Sequence, residues 1–85
     1  MKILKAAKFN DLEEVKRQLE GDEVSKQIKK KILYMAAENN NLDLLKCVVE
    51  NDPSIVKKKD DPHFTVLERA IAYGAFDIVK YLVEQ

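Results

Sequence analysis

The single histidine of the chain lies beside two aspartates, and these residue types can bind metal ions or act as general bases. His63 follows Asp60 and Asp61 in the segment DDPHF. A structural metal site usually needs about four ligands in fixed geometry, and this segment supplies fewer. We therefore interpret His63 as a surface loop residue, and we expect no bound metal.

Cys47 is the other residue whose chemistry needs weighing. It is the only cysteine, so the chain can form no internal disulfide and has no cysteine cluster for zinc. It stands among Leu44, Leu45 and Val48 with no histidine nearby in sequence, which favours a small core residue over a nucleophile. The sequence also lacks a glycine-rich phosphate-binding loop and a convincing serine–histidine–aspartate set. We expect no enzymatic activity and no cofactor.

Two lysine triplets could bind phosphate or carboxylate groups. Lys29–Lys31 and Lys57–Lys59 each come before the first helix of a repeated helical segment, described below, so we expect both to project near the same edge of the molecule. No aromatic residue interleaves the lysines, which favours a solvated rim. The alternative is a basic patch that binds an acidic or phosphorylated ligand, or RNA.

The composition is typical of a soluble, folded protein of one small domain. Of 85 residues, 46% are hydrophobic and 35% are charged, and 15 basic residues balance 15 acidic ones. This balance makes nucleic acid an unlikely partner and gives no general attraction to an anionic membrane. No apolar run approaches the roughly 18 residues of a membrane span, and the N-terminus lacks the apolar core of a secretory signal. We expect a cytoplasmic protein.

Three segments share one pattern, and this pattern must position any functional side chain. They are LKAAKFNDLEEVKRQLEG, MAAENNNLDLLKCVVEN and RAIAYGAFDIVKYLVEQ, with Asn10, Asn40 and Gly74 at the same place. A repeat this short cannot bury its apolar face alone, so neighbouring copies must share a core. We therefore divide the single domain 1–85 into three repeats, approximately 1–23, 24–57 and 58–85.

Each copy predicts two helices joined by a tight turn. Asn and Gly tolerate the left-handed conformation that closes a helix. Asp11, with Glu14 three residues later, has the pattern of a capping box, and Asn41 is the equivalent N-cap in the middle copy. We expect the first helix of the middle copy to begin near Ser25. The fold class is all-α, a short solenoid of helix–turn–helix repeats.

The second helix of each copy carries apolar residues at the i, i+3, i+7 spacing of a buried stripe. The stripes are Leu12/Val15/Leu19, Leu42/Leu45/Val49 and Phe76/Val79/Val83. We expect Ile78 and Leu82 to lie on the surface that a further repeat would cover. This predicts exposed apolar surface, self-association through the third copy, or a chain excised from a longer one.

The segment DDPHFTVLERAIAYGAFDIVKYLVEQ resembles the ankyrin repeat. It matches the family pattern at an aspartate-led turn, a threonine, the small residues of the first helix, the turn glycine and the apolar second helix. Val66, Glu68 and His63 depart from that pattern. The middle copy keeps Leu33, Ala36 and Ala37, and the first copy is similar to an N-terminal capping repeat. The resemblance implies one well-formed β-finger, within residues 51–64.

The resemblance also implies a non-catalytic module that binds a protein or peptide partner through a concave groove and a finger loop. One residue before each inter-helix turn should fall in the same register across that groove. The candidate partner-binding residues are Phe9, Glu38, Asn39, Asp61, Phe64 and Tyr73. Two alternatives stay open: a recognition fragment of a longer ankyrin-containing protein whose activity lies elsewhere, and the basic-patch binder.

Overall fold

A computed structural model describes residues 2–21, 24–56 and 65–84 of the chain. Six α-helices follow one another along these residues. A short 3-10 helix at Pro53–Val56 follows the fourth α-helix, and the described residues contain no strand. The predicted all-α class is confirmed. The α-helices are α1 (Lys2–Lys8), α2 (Leu12–Gly21), α3 (Lys26–Glu38), α4 (Leu42–Asn51), α5 (Thr65–Ala72) and α6 (Phe76–Glu84).

The turns inside the three hairpins are built alike. Asn10, Asn40 and Gly74 all have left-handed backbone, with φ of 59°, 51° and 70°. The amide after each one donates to a carbonyl five residues back, and all three of these bonds are 2.8 Å long. This is the hydrogen-bond pattern of a Schellman motif, which closes one helix and lets the next start at once. The predicted matching bends are confirmed.

Side-chain caps start three of the helices where the sequence predicts them. Ser25 Oγ accepts from the Ile28 amide at 3.3 Å, and Asn41 Oδ1 accepts from the Leu44 amide at 3.2 Å. Asp11 Oδ1 accepts from the Glu14 amide at 3.3 Å. These bonds satisfy amides that have no partner inside their own helix.

The capping box predicted at Asp11 is only half formed. The Glu14 carboxylate does not return to the Asp11 amide but accepts hydrogen bonds from Arg17 and from Gln18 Nε2, the latter at 2.6 Å. The Asp11 amide donates to the Ala6 carbonyl instead, because the Schellman turn already uses it. The tight turn and the reciprocal capping box compete for the same donor.

The hairpins stack so that the helices form two layers. In the inner layer α3 lies between α1 and α5, and in the outer layer α4 lies between α2 and α6. Small residues at matching positions, Ala6, Ala36 and Ala70, are all buried and allow the inner helices to approach closely. The largest fully buried side chains include Ile3, Ile32, Leu33, Leu44, Leu45 and Ile78.

The predicted buried stripe of α6 is wrong at Phe76 and Val83, and only Val79 of its three residues packs half-buried against the core. Phe76 and Val83 are 75% and 67% exposed, whereas Ile78 and Leu82, expected on an uncovered surface, are buried. The equivalent residues of α4, Leu42 and Val49, lie in the part of the stack that has a further hairpin beside it. A stripe of this register faces the next hairpin, and the described structure has none next to α6.

Candidate partner-binding groove

The inner layer of helices carries an open groove of about 710 Å³, which we call the inner groove. Since α1, α3 and α5 lie side by side, residues on their common outward face come together across three hairpins. The groove is lined by Leu4, Lys5, Lys8 and Phe9 from the first hairpin, Lys31, Tyr34, Met35 and Glu38 from α3, and Arg69 from α5.

Helical periodicity places these side chains on one face. Lys31, Tyr34, Met35 and Glu38 follow the i, i+3, i+4, i+7 spacing, so they share one side of α3. The other side of α3 carries buried residues, including Ile32, Leu33, Ala36 and Ala37. The floor of the groove is apolar because Leu4, Tyr34 and Met35 are half-buried against the core.

An ion pair and a cation–π contact join α3 to α5 within the groove. Arg69 Nη1 donates to Glu38 Oε2 at 2.6 Å, and the guanidinium carbon of Arg69 lies 4.6 Å from the centre of the Tyr34 ring. The Arg69 side chain is 42% exposed, so the ion pair is partly screened by solvent. The contacts join Tyr34 and Glu38 to Arg69, and Glu38 is the only carboxylate among the described residues that line the inner groove.

Three lysines at the groove have no carboxylate partner within the part of the chain that the structure describes. Lys5 and Lys8 lie one turn apart on α1, and Lys31 lies on α3. Within residues 2–21, 24–56 and 65–84, no carboxylate lies within ion-pair distance of any of the three. All three side chains are exposed. The inner groove therefore combines an apolar floor with three rim lysines that have no ion-pair partner among the described residues.

The sequence-predicted site residues are only partly brought together. Phe9 and Glu38 line the inner groove, and Phe9 is 68% exposed. Tyr73 is 60% exposed but does not line the groove, and Asn39 borders a separate cavity of about 470 Å³. Asn39 Nδ2 also donates to the Met35 carbonyl at 2.8 Å, so its amide is engaged within its own helix. Their roles in binding stay predictions.

The finger loop cannot be compared with the prediction. Asp61 and Phe64 lie outside the described residues, as do His63, Asp60 and Lys57–Lys59, and with them most of the expected β-finger.

Sequence reasoning missed most of the groove lining. The predicted residues lie next to the hairpin turns. Five other lining residues were not predicted, and they lie one or two helical turns further along their helices from the hairpin turn: Leu4, Lys5, Tyr34, Met35 and Arg69. A signal was present in the repeat alignment, because Leu4 and Lys5 of the first copy correspond to Tyr34 and Met35 of the middle copy, and Met35 corresponds to Arg69 of the third.

The lysine triplet Lys29–Lys31 does not form a single surface. Lys29 Nζ binds Asp52 Oδ2 at 3.2 Å, at the end of α4, whereas Lys31 lines the inner groove. Successive helical residues point about 100° apart, so a triplet on a helix cannot present one patch. Ser54 Oγ donates to Asp52 Oδ1 at 2.6 Å, and this bond and the Lys29 ammonium lower the pKa of Asp52.

Cys47 is confirmed as a buried core residue. Its side chain belongs to the main core, and burial raises the pKa of the thiol, which disfavours the nucleophilic thiolate. Across the described ranges, no cluster of three or more histidine, cysteine, aspartate or glutamate residues could hold a metal ion. None of the described helices has both the length and the apolar character needed to cross a membrane.

Comparison with known proteins agrees with this architecture. A family model described as ankyrin repeats (3 copies) matches residues 3–85. No curated protein and no solved structure matches the chain. The family match extends over all three helical hairpins, including the turns at Asn10, Asn40 and Gly74. The chain therefore belongs to the ankyrin repeat family.

Proposed function

We propose that this chain is a non-catalytic interaction module that holds a protein or peptide partner in the inner groove. Ankyrin repeats are generally protein–protein interaction modules and are typically without catalytic activity. The finger residues Asp61 and Phe64 belong to the same proposal, since a finger loop would border the concave side of the stack.

The observation that carries this proposal is the exposed Phe9 at a groove with an apolar floor. A phenylalanine that is 68% exposed beside Leu4, Tyr34 and Met35 leaves a contiguous apolar surface in contact with water. Burying such a surface against a partner is favourable, and aromatic side chains contribute large contact area with few rotatable bonds. Interface residues of this kind often dominate the binding free energy.

Contacts within and between the hairpins support binding by a preformed surface. The Schellman turns hold each hairpin, and the Arg69–Glu38 ion pair joins two hairpins at the groove itself. A partner that docks on side chains already held in place loses less conformational entropy than one that must order a loop.

A peptide selection tests the proposal. Random 16-residue peptides displayed on phage would be selected on the purified chain, and the enriched peptides measured by fluorescence polarisation. We expect Phe9→Ala to weaken binding by roughly tenfold or more, as for a central interface aromatic. Tyr73→Ala is measured in parallel, because Tyr73 occupies the same register in the third hairpin.

Phe76→Ala is the matched control. Phe76 is also a largely exposed phenylalanine, but it lies on α6 in the outer layer, away from the inner groove. Its substitution should leave peptide affinity unchanged. If the enriched peptides bind Phe9→Ala as tightly as the parent chain, or if Phe76→Ala weakens them equally, the groove is not the binding site.

A further inference from the structure

We propose that the inner groove selects an acidic peptide segment, in which an apolar side chain is flanked by carboxylates. This inference rests on the proposed function and specifies the chemistry of its partner. It is carried by the charges and the apolar floor of the groove.

The groove is a local concentration of positive charge on a chain that is neutral as a whole. Among the described residues, it is lined by the basic Lys5, Lys8, Lys31 and Arg69 and by one acidic residue, Glu38. The full sequence has 15 basic and 15 acidic residues. The excess at the groove must therefore be balanced elsewhere on the molecule, and the net positive charge of the described lining residues favours the approach of an anionic ligand.

Among the described residues, no ion pair engages Lys5, Lys8 or Lys31, which leaves these lysines available to a ligand. Arg69 is held by Glu38 at 2.6 Å and lies over Tyr34, so its guanidinium is already engaged. Lys5 and Lys8 stand on α1 and Lys31 stands on α3, so positive charge borders the apolar floor from two helices. Carboxylates placed on both sides of an apolar anchor would match this arrangement. Such complementarity contributes mainly specificity and association rate.

The apolar floor favours a peptide over a single-stranded nucleic acid. Leu4 and Met35 offer aliphatic contact, which suits a leucine or phenylalanine side chain. Nucleic-acid grooves combine positive charge with aromatic faces on which successive bases stack. Here the Arg69 guanidinium lies over the Tyr34 ring, and Phe9 is the one other aromatic residue among the described lining residues.

The test uses the peptides selected on the parent chain that lose affinity on Phe9→Ala. We expect these groove-dependent peptides to carry net negative charge, with acidic residues on both sides of an apolar one. Replacing Lys5, Lys8 and Lys31 together by glutamine should weaken the binding of these peptides by roughly tenfold, since each exposed charge contributes modestly to the affinity. Raising NaCl from about 50 to 500 mM should weaken the parent complex by a similar factor.

The matched control replaces three other exposed lysines, Lys16, Lys26 and Lys80, by glutamine. It removes the same total charge away from the inner groove, and affinity should remain within about twofold of the parent. Circular dichroism and the thermal midpoint of each variant verify that the fold is kept.

The outcomes separate this inference from the proposed function. The acidic specificity is overturned if the groove-dependent peptides carry no excess of acidic residues, or if their affinity does not depend on the groove lysines. Either result still agrees with the proposed function. If no enriched peptide depends on Phe9, both proposals fail. A fluorescent 15-nucleotide single-stranded RNA provides the remaining comparison. If it binds the parent chain more tightly than any selected peptide, and if only the Lys5/Lys8/Lys31 variant loses this binding, the groove is assigned to nucleic acid instead.

Discussion

Gly74 takes the left-handed backbone at a position where the other two hairpins use asparagine. Its φ is 70°, and a Cβ added there would meet no described atom within 4 Å. A substitution at Gly74 is therefore opposed by backbone conformation alone, and not by packing. Asn10 and Asn40 demonstrate that asparagine is accommodated in the same turn.

This difference predicts which of two substitutions at Gly74 lowers the free energy of unfolding more. Gly74→Ala should lower the free energy of unfolding by about 1 kcal/mol, because an alanine Cβ disfavours positive φ. Gly74→Asn should cost roughly half as much, because asparagine visits this region more readily. Urea denaturation followed by circular dichroism measures both. Equal losses for the two variants would contradict the assignment of the cost to backbone conformation.

At the scale of elements, the start of α3 is tied to the end of α4 by a half-buried ion pair. The side chains of Lys29 and Asp52 are 15% and 20% exposed, and Ser54 donates a further hydrogen bond to the same carboxylate. The Ser54 hydroxyl and the Lys29 ammonium favour the charged carboxylate, so the folded pKa of Asp52 is below its ordinary value of 3.8.

The depressed pKa predicts how acid acts on this contact. Asp52 stabilises the fold above its unfolded pKa of 3.8, and this contribution is lost as pH falls through the lower folded value. Asp52→Asn should cost about 1 kcal/mol at pH 7, because it removes a charge-assisted hydrogen bond. Urea midpoints of both proteins between pH 7 and pH 2.5 provide the measurement.

We expect the difference between the parent and Asp52→Asn to shrink as the pH falls below 3.8. The comparison with the variant is needed because Arg17 also lowers the pKa of Glu14, so the parent has a second source of acid sensitivity. A difference that stays constant across the whole pH range would exclude the charged form of Asp52 as the stabilising species.

At the scale of the whole molecule, translation along the stack changes the environment of equivalent residues. Val49 on α4 and Val83 on α6 hold the same repeat position and are 2% and 67% exposed. Ala37 and Ile71 form a second such pair, buried in the middle hairpin and 59% exposed in the third. The covering hairpin, and not the local sequence, decides the burial at this register.

The two valines therefore give a matched prediction. Val49→Ala should lower the free energy of unfolding by about 2 kcal/mol, from lost burial and the cavity that remains. Val83→Ala should stay within about 0.5 kcal/mol of the parent, because the side chain is already in contact with water. The helix propensity changes equally in both, so it cancels in the comparison. Similar losses in urea denaturation would mean that Val83 is covered in solution.

The sequence predicts only part of the inner groove, because most of its lining depends on how neighbouring helices pack. Phe9 and Glu38 were selected because they lie near a hairpin turn, a feature that one repeat displays by itself. Tyr34 and Arg69 come together only because α3 and α5 pack side by side. The spacing within a single helix cannot specify which residues of two separate helices meet.

The sequence by itself determined the local steps of this structure. The left-handed turn residues, the caps Asp11, Ser25 and Asn41, and the order of the helices follow from hydrogen bonds and backbone sterics within a few residues. Only the tertiary structure decided which apolar stripe is covered, and that the lysines of α1 and α3 border one apolar floor. Burial and charge density depend on neighbouring hairpins, and repeats of similar sequence have different neighbours.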